Sequence, residues 1–233
     1  AAGLISDGEQ IVVGGLAAGT YTSTEIVPDG WTLTSIVCDD QDSTTPSTGN
    51  TGTATATFNV EAGDTVTCTF TNKKDGKLTI KKVTDPTNSG TDTFGFTSSS
   101  TGIDPSFTLD TNGADITNPS QETFTFSGSN YGSKSVTEGT TAGWTLTDIT
   151  CVGGTDTGSG ATATVDVQPG DDITCTFTNK KDGKLTIKKV TDPKNSGTDT
   201  FGFTSSSTGI DPSFTLDTNG ADITNPSQET FTF

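Results

Sequence analysis

The sequence predicts an all-β chain built of tandem β-sandwich units, and two observations carry that prediction. Residues Cys68 to Phe126 return as Cys175 to Phe233 with one difference, Thr87 answered by Lys194, so the chain repeats at the 107-residue offset between Cys68 and Cys175. Within the repeat, Ala54-Thr-Ala-Thr-Phe58, Thr67-Cys-Thr-Phe-Thr71, Leu78-Thr-Ile80 and Phe124-Thr-Phe126 alternate apolar residues with Thr. That period of two suits a pleated strand with one buried face, and Thr combines β-branched backbone preference with a wet outer face. Near-identical copies joined end to end suit a protein whose task is length, stiffness or many equal contacts.

Composition points the other way and is overruled. Leu, Ile, Val and Phe make up 45 of 233 residues and the net charge is −17, a balance that by itself marks disorder. Strand periodicity is incompatible with that reading. A repeat of this length is enough for one sandwich but leaves a thin core, so cross-links matter.

Read in order, the chain divides into three parts. Residues 1–75 match the second part of the period, since Gly30-Trp-Thr-Leu-Thr34 answers Gly143-Trp-Thr-Leu-Thr147 and Tyr21-Thr-Ser-Thr-Glu25 answers Tyr131 to Glu138. Residues 76–182 form one complete period. Residues 183–233 match its first part, so that 183–233 of one copy and 1–75 of the next would together make a whole unit. The partner expected on this basis is self, head to tail in a filament, and the alternative is a section of a longer repeat chain. The joints Asn72-Lys-Lys-Asp-Gly76 and Asn179-Lys-Lys-Asp-Gly183 are short, which favours a stiff stack, although Asp-Gly between strands is also a hairpin signal.

Four cysteines fall one pair per repeat, Cys38 with Cys68 and Cys151 with Cys175. Pairing within each repeat is the simplest reading and points outside the cytosol. Each bridge closes a loop worth about 3–4 kcal/mol by chain entropy. Zinc is the competing reading, opposed by the absence of CxxC spacing and of histidine.

Val13-Gly-Gly-Leu-Ala-Ala-Gly-Thr-Tyr-Thr-Ser-Thr-Glu25, followed by Pro28-Asp-Gly-Trp31, resembles a segment of prealbumin-like domains of the SpaA and collagen-adhesin B type. Gly76-Lys-Leu-Thr-Ile-Lys-Lys82-Val resembles the first strand of that family, and Thr176-Phe-Thr-Asn179 its last. The resemblance implies immunoglobulin-like (prealbumin-like) sandwiches of surface pilins and adhesins, often stapled by a spontaneous Lys-Asn isopeptide bond. Carried over by position, the lysine is Lys82, the acid Glu138 and the asparagine Asn179. Their counterparts in the flanks are Glu25, Asn72 and Lys189.

Strand parity adds an independent expectation. Leu78, Ile80 and Lys82 share one face, Cys175, Phe177 and Asn179 another, and Val136 and Glu138 a third, so all three polar groups point with apolar neighbours toward the core. Burial lowers a lysine pKa, which frees the amine as a nucleophile, and a Glu kept protonated there would donate to the Asn oxygen and shuttle protons. The plainer reading is a snorkelling Lys paired with Glu, beside an Asn at a strand end. Adjacent Lys81 and Lys82 leave open which faces inward, since a one-residue bulge would exchange them.

Acidic loops at Asp39-Asp-Gln-Asp42, Gly170-Asp-Asp172 and Thr84-Asp-Pro-Thr-Asn88 lack the ordered spacing of a calcium loop and read as solvated, so no metal or cofactor is expected. Thr-x-Thr faces are explained by wet sandwich strands rather than ice binding. Asn118 and Asn225 are each followed by Pro, which removes them as glycosylation sequons. The negative charge disfavours nucleic acid and anionic membranes, and no apolar run has transmembrane length. Without histidine there is no Ser/His/Asp or Cys/His set, and no enzymatic activity is expected. The function expected is that of a structural repeat in an extracellular filament, pilus-like fibre or cell-surface stalk; the alternative is a surface adhesin whose repeats bind a ligand.

Overall fold

The structure, a computed structural model, describes residues 3–40, 43–87, 92–111, 118–192, 199–218 and 226–233. Asp42 and Asn88 of the acidic loops, Asn225 and the variant position Lys194 lie outside them. In the first part of the chain the strands are β1 (Gly19–Thr24), β2 (Trp31–Asp39), β3 (Thr48–Asn50), β4 (Thr55–Val60) and β5 (Thr67–Lys74). Then come β6 (Gly76–Asp85), β7 (Phe94–Thr97), β8 (Ser106–Leu109), β9 (Gln121–Phe126), β10 (Gly132–Glu138), β11 (Trp144–Val152), β12 (Thr162–Val167) and β13 (Asp172–Lys181). The last part holds β14 (Lys184–Lys188), β15 (Phe201–Thr204), β16 (Ser213–Leu216) and β17 (Gln228–Thr232).

Strands β6–β13 close two four-stranded sheets, in the orders β11-β13-β6-β9 and β12-β10-β7-β8. Their inner faces follow from the alternation. In β6, Leu78 and Ile80 are buried while Lys77 and Lys81 are exposed, and in β13 Ile173, Cys175 and Phe177 are buried. Phe94, Phe96, Val136, Val165 and Val167 answer from the other sheet. Phe96 meets Phe177 edge-on across the sandwich at 5.2 Å and stacks on Phe107 at the same separation, geometries that add to burial. Thr79 departs from simple alternation: parity puts it outside, yet it is buried, and its hydroxyl exchanges a bond of 2.9 Å with that of Thr123.

The pairing that sets the architecture joins the first and last strands of this unit. β6 and β13 run parallel in continuous register from Lys77↔Asp172 to Asp85↔Lys180. The chain therefore enters the sandwich at one end of this pair, at Gly76, and leaves at the other, after Lys181. Ten residues of β6 separate the two ends by about 33 Å. The Asp-Gly joints are not hairpins: β5 pairs with β2, β6 with β13 and β9, and β14 with β17, so each joint passes the chain from one unit to the next.

The flanking segments reproduce the two parts of this sandwich separately. β2 pairs with β5 through Cys38↔Cys68 as β11 pairs with β13 through Cys151↔Cys175, and both pairs carry a register shift at the same place, Leu33/Ser35 and Leu146/Asp148. Trp31 and Trp144 both follow a tight turn closed by the preceding residues, Trp31 N–H donating to Pro28 O and Trp144 N–H to Thr141 O. The third turn residue has positive φ, 78° at Gly30 and 79° at Gly143, which glycine alone adopts without strain. Tyr21 occupies the register position of Lys134 rather than that of Tyr131, because Tyr21↔Phe58 corresponds to Lys134↔Val165.

At Gly76, where the chain enters, β6 lies close against the end of β12 in the facing sheet. A Cβ there would lie 2.6 Å from Gln168 O and 2.8 Å from Val167 Cγ1, one of them backbone that cannot swing away. Gly76→Ala is expected to destabilise the unit by about 1–3 kcal/mol through overpacking, read as a lower unfolding midpoint in denaturant titration.

Candidate functional site

Three polar side chains are buried in the apolar interior of the β6–β13 sandwich. Lys82 of β6, Glu138 at the end of β10 and Asn179 of β13 are 2 %, 4 % and 2 % exposed. Parallel pairing brings the first and third together, since Lys82 stands opposite Phe177 and Asn179 opposite Thr84, putting both side chains on the inner face of neighbouring strands. Glu138 arrives from the facing sheet, where it pairs with Phe96 of β7. Lys81 is exposed, so Lys82 is the inward lysine of the adjacent pair.

The three groups are mutually bonded. Lys82 Nζ donates to Asn179 Oδ1 at 2.7 Å and lies 3.4 Å from Glu138 Oε2. Asn179 Nδ2 donates to Glu138 Oε1 at 2.7 Å. Nζ also donates to Phe177 O at 2.9 Å and sits 4.6 Å from the centre of the Phe94 ring. Glu138 therefore stands against the carboxamide nitrogen, while the carboxamide oxygen faces the amine. This differs from the expectation that the acid donates to the Asn oxygen, because that oxygen is taken by Lys82 Nζ.

Burial dominates the electrostatics. It pulls the Lys82 pKa down to about 8, against the opposing pull of the Glu138 carboxylate. Burial likewise raises Glu138, with Lys82 and the Asn179 hydrogen bond acting the other way. Both shifts favour neutral forms over an ion pair, as expected for charges removed from water. A neutral amine against a carboxamide, with a carboxyl group at the carboxamide nitrogen, has the components of an amide exchange. A pocket of about 220 Å³, lined in part by Glu138, Trp144, Ala161 and Asn179, adjoins the cluster.

The flanking counterparts are only partly assembled. Asn72 Nδ2 donates to Glu25 Oε1 at 2.5 Å, as in the complete unit. Lys189 remains in its own segment, where it donates to Val190 O at 3.2 Å and lies 4.1 Å from the Phe201 ring, the counterpart of Phe94. The disulfides form as the within-repeat pairing has them, Cys38–Cys68 and Cys151–Cys175.

Sequence reading overlooked two participants. Phe94 supplies the ring under Nζ, and the repeated Phe-Gly-Phe of 94–96 and 201–203 was its signal. Lys134 is a second buried lysine, sharing the face of Val136 and Glu138; it donates to Thr101 O at 3.0 Å and lies 4.9 Å from the Phe126 ring. Four residues from Glu138 along one strand, about 13 Å, it stands apart from the cluster.

A family profile for the SpaA-type prealbumin-like fold domain matches residues 2–74 and 78–181. The chain belongs to this family. No curated protein matches it. SpaA-type prealbumin-like domains are structural and adhesive modules of pili and surface proteins rather than enzymes, and are typically found at the cell surface. The two disulfides of this chain fit an oxidising compartment. Among the described residues no helix is long and apolar enough to cross a membrane.

Proposed function

We propose that this prealbumin-like chain is a load-bearing repeat segment of an extracellular pilus-like filament or stalk, in which Lys82 and Asn179 join spontaneously as an amide. The observation that carries this reading is the buried Lys82–Glu138–Asn179 cluster, bonded at 2.7 Å on both sides of the carboxamide and bridging the first and last strands. In the reaction the neutral Nζ adds to Asn179 Cγ, the Nζ–Cγ bond forms, and the Cγ–Nδ2 bond breaks. Glu138 takes a proton from the amine and delivers it to Nδ2, which leaves as ammonia. The adjoining pocket gives the ammonia a way out. It is a single-turnover reaction of the chain on itself.

The mechanical consequence follows from the topology. Tension along the chain enters at Gly76 and leaves after Lys181, at opposite ends of the parallel β6–β13 pair, and so shears those strands. With the amide in place the load passes along residues 76–82, across to Asn179, and out through 179–182. Residues 83–178 are bypassed. The amide also closes a loop spanning a separation of 97 residues, worth about 4.7 kcal/mol by chain entropy.

Peptide mass spectrometry of the reduced protein is expected to yield a linked Lys82–Asn179 peptide lighter by one ammonia. Lys82→Ala and Asn179→Ala are expected to abolish it, and Glu138→Gln to slow its formation by about 10²-fold or more. Unlinked peptides from the folded parent chain would overturn the chemistry.

The pH dependence has a definite sign. The ion pair and the neutral amine–acid pair hold the same number of protons, so their exchange within the site draws none from solvent. Formation of the link during refolding is therefore expected to be independent of pH between the two titration steps of the pair, and to fall in acid, where a second proton leaves an ammonium beside a neutral carboxyl and no free amine. Above about 8 the pair loses a proton, the amine is free but the acid needed by the leaving nitrogen is gone, and the rate should fall. Intact-mass measurement at timed intervals across pH checks this.

Under tension in single-molecule stretching, the linked unit is expected to give no length release for residues 76–182. Lys82→Ala should restore an unfolding step, lengthened further by reduction of Cys151–Cys175.

A further inference from the structure

The Asn-Lys-Lys-Asp-Gly joint occurs twice, and each time its aspartate is taken up by the strands that precede it. Asp75 N–H donates to Gly30 O at 2.9 Å, and Asp75 Oδ1 accepts from Thr32 Oγ1 at 2.7 Å. Asp182 repeats the arrangement: its N–H donates to Gly143 O at 3.0 Å, and its Oδ1 accepts from Thr145 Oγ1 at 2.7 Å. The bracket is a Gly-Trp-Thr tripeptide in both places, Gly30-Trp31-Thr32 and Gly143-Trp144-Thr145. Its central residue pairs with the lysine just before the aspartate, Trp31 with Lys74 and Trp144 with Lys181, so the chain enters each joint already held in a ladder.

At Asp75 the following sandwich grips the joint from the other side. Tyr131, just before β10, donates its hydroxyl to Lys74 O at 3.2 Å. The alkyl chain of Lys74 passes the turn at Gly170, where a Cβ would lie 3.7 Å from Lys74 Cδ. Lys77 N–H donates to Asp171 O at 2.8 Å, and Gly76 between them is closed in by Gln168 and Val167. Burial and the neighbouring Asp75 carboxylate both push the Tyr131 hydroxyl pKa up, so the donor keeps its proton. Asp75 alone separates β5 from β6, and its N–H and carboxylate are both engaged. A flexible linker owes its freedom to backbone groups that exchange among water and many partners; this joint has no such stretch.

We infer that the joint at Asp75 is a rigid coupling rather than a hinge: Gly30 and Thr32 from one side and Tyr131 from the other hold residues 74–75 and set the two neighbouring units in one fixed orientation. The surface formed by Tyr131 and the Gln168–Asp171 turn thus has a definite partner, the Lys-Lys-Asp end of the preceding repeat in the same chain. None of these residues belongs to the Lys82–Glu138–Asn179 cluster, so the coupling stands whether or not the amide forms. Where the same contacts recur, each step along the chain carries the same rotation, and the product is a rod of constant twist rather than a string of freely turning beads.

The test is measurement of amide residual dipolar couplings on the whole purified chain in a stretched neutral gel, comparing β2 and β5 with β6 and β13. A rigid coupling is expected to fit both sets with one alignment tensor of one magnitude. Tyr131→Phe, which removes only the hydroxyl, and Asp75→Ala, which removes the side-chain half of the bracket, are each expected to lower the order of the β2–β5 set relative to the β6–β13 set. A Gly-Ser pair inserted after Asp75 supplies the hinged reference, in which the two tensors separate fully. Couplings that still fit within each set show that both parts remain folded in every variant. Two tensors in the parent chain would overturn the inference outright. A single shared tensor that survives Tyr131→Phe and Asp75→Ala combined would overturn it as well, because the orientation would then owe nothing to the residues named.

Discussion

Everything functional in this fold depends on the parallel pairing of the first and last strands of the sandwich. An antiparallel neighbour would return the chain to the end at which it entered, and tension would then peel the strands apart one bond at a time. Parallel pairing instead sends the chain out at the far end, so successive units stack along a line and tension loads all the strand bonds in shear. It also sets Lys82 and Asn179 on adjacent strands, two positions offset and facing inward, where their side chains meet.

The cluster is poor stabilisation in its unreacted form. Removing a lysine and a glutamate from water costs several kcal/mol per ion, and an apolar pair of similar volume would hold the sheets together as well or better. Conversion to the proposed amide would change that balance: the lysine would no longer have a charge to desolvate, and one covalent bond would replace a hydrogen bond. The Cys151–Cys175 disulfide ties β13 to β11 on its other side. With both links present β13 would be fastened to each of its neighbours, leaving the last strand as the most constrained element of a core that has few large aliphatic side chains.

Much of this was legible in the sequence because alternation is a local signal. The inward faces of β6, β10 and β13 follow from Leu78, Val136 and Phe177 by counting in twos, and that count brought Lys82, Glu138 and Asn179 to the interior. Other features are not local. Which of Lys81 and Lys82 turns inward depends on the absence of a bulge in β6, and a bulge is set by pairing with strands nearly a hundred residues away. The burial of Thr79 likewise answers to tertiary surroundings that its own strand does not encode. Orientation of the Asn179 carboxamide, nitrogen to the acid and oxygen to the amine, is decided by the geometry of three strands from two sheets. The repeat supplies an internal control: equivalent residues in the complete unit and in the flanks differ in burial, as Trp144 at 6 % and Trp31 at 43 % do, and that difference measures what neighbouring strands contribute to the core.

Charge determines how such units can meet. A chain of net charge −17 repels its copies side to side, and at physiological ionic strength that repulsion acts over about 8 Å. Within the complete unit the apolar side chains are turned inward, so burial and strand pairing act inside the sandwich while the acidic surface faces its neighbours. Raising salt would weaken the lateral repulsion and leave the apolar core and the disulfides untouched. Acidic flanks on a unit that the chain enters at one end and leaves at the other therefore disfavour side-to-side clumping, and the fastening of β13 to its two neighbours is left to the interior.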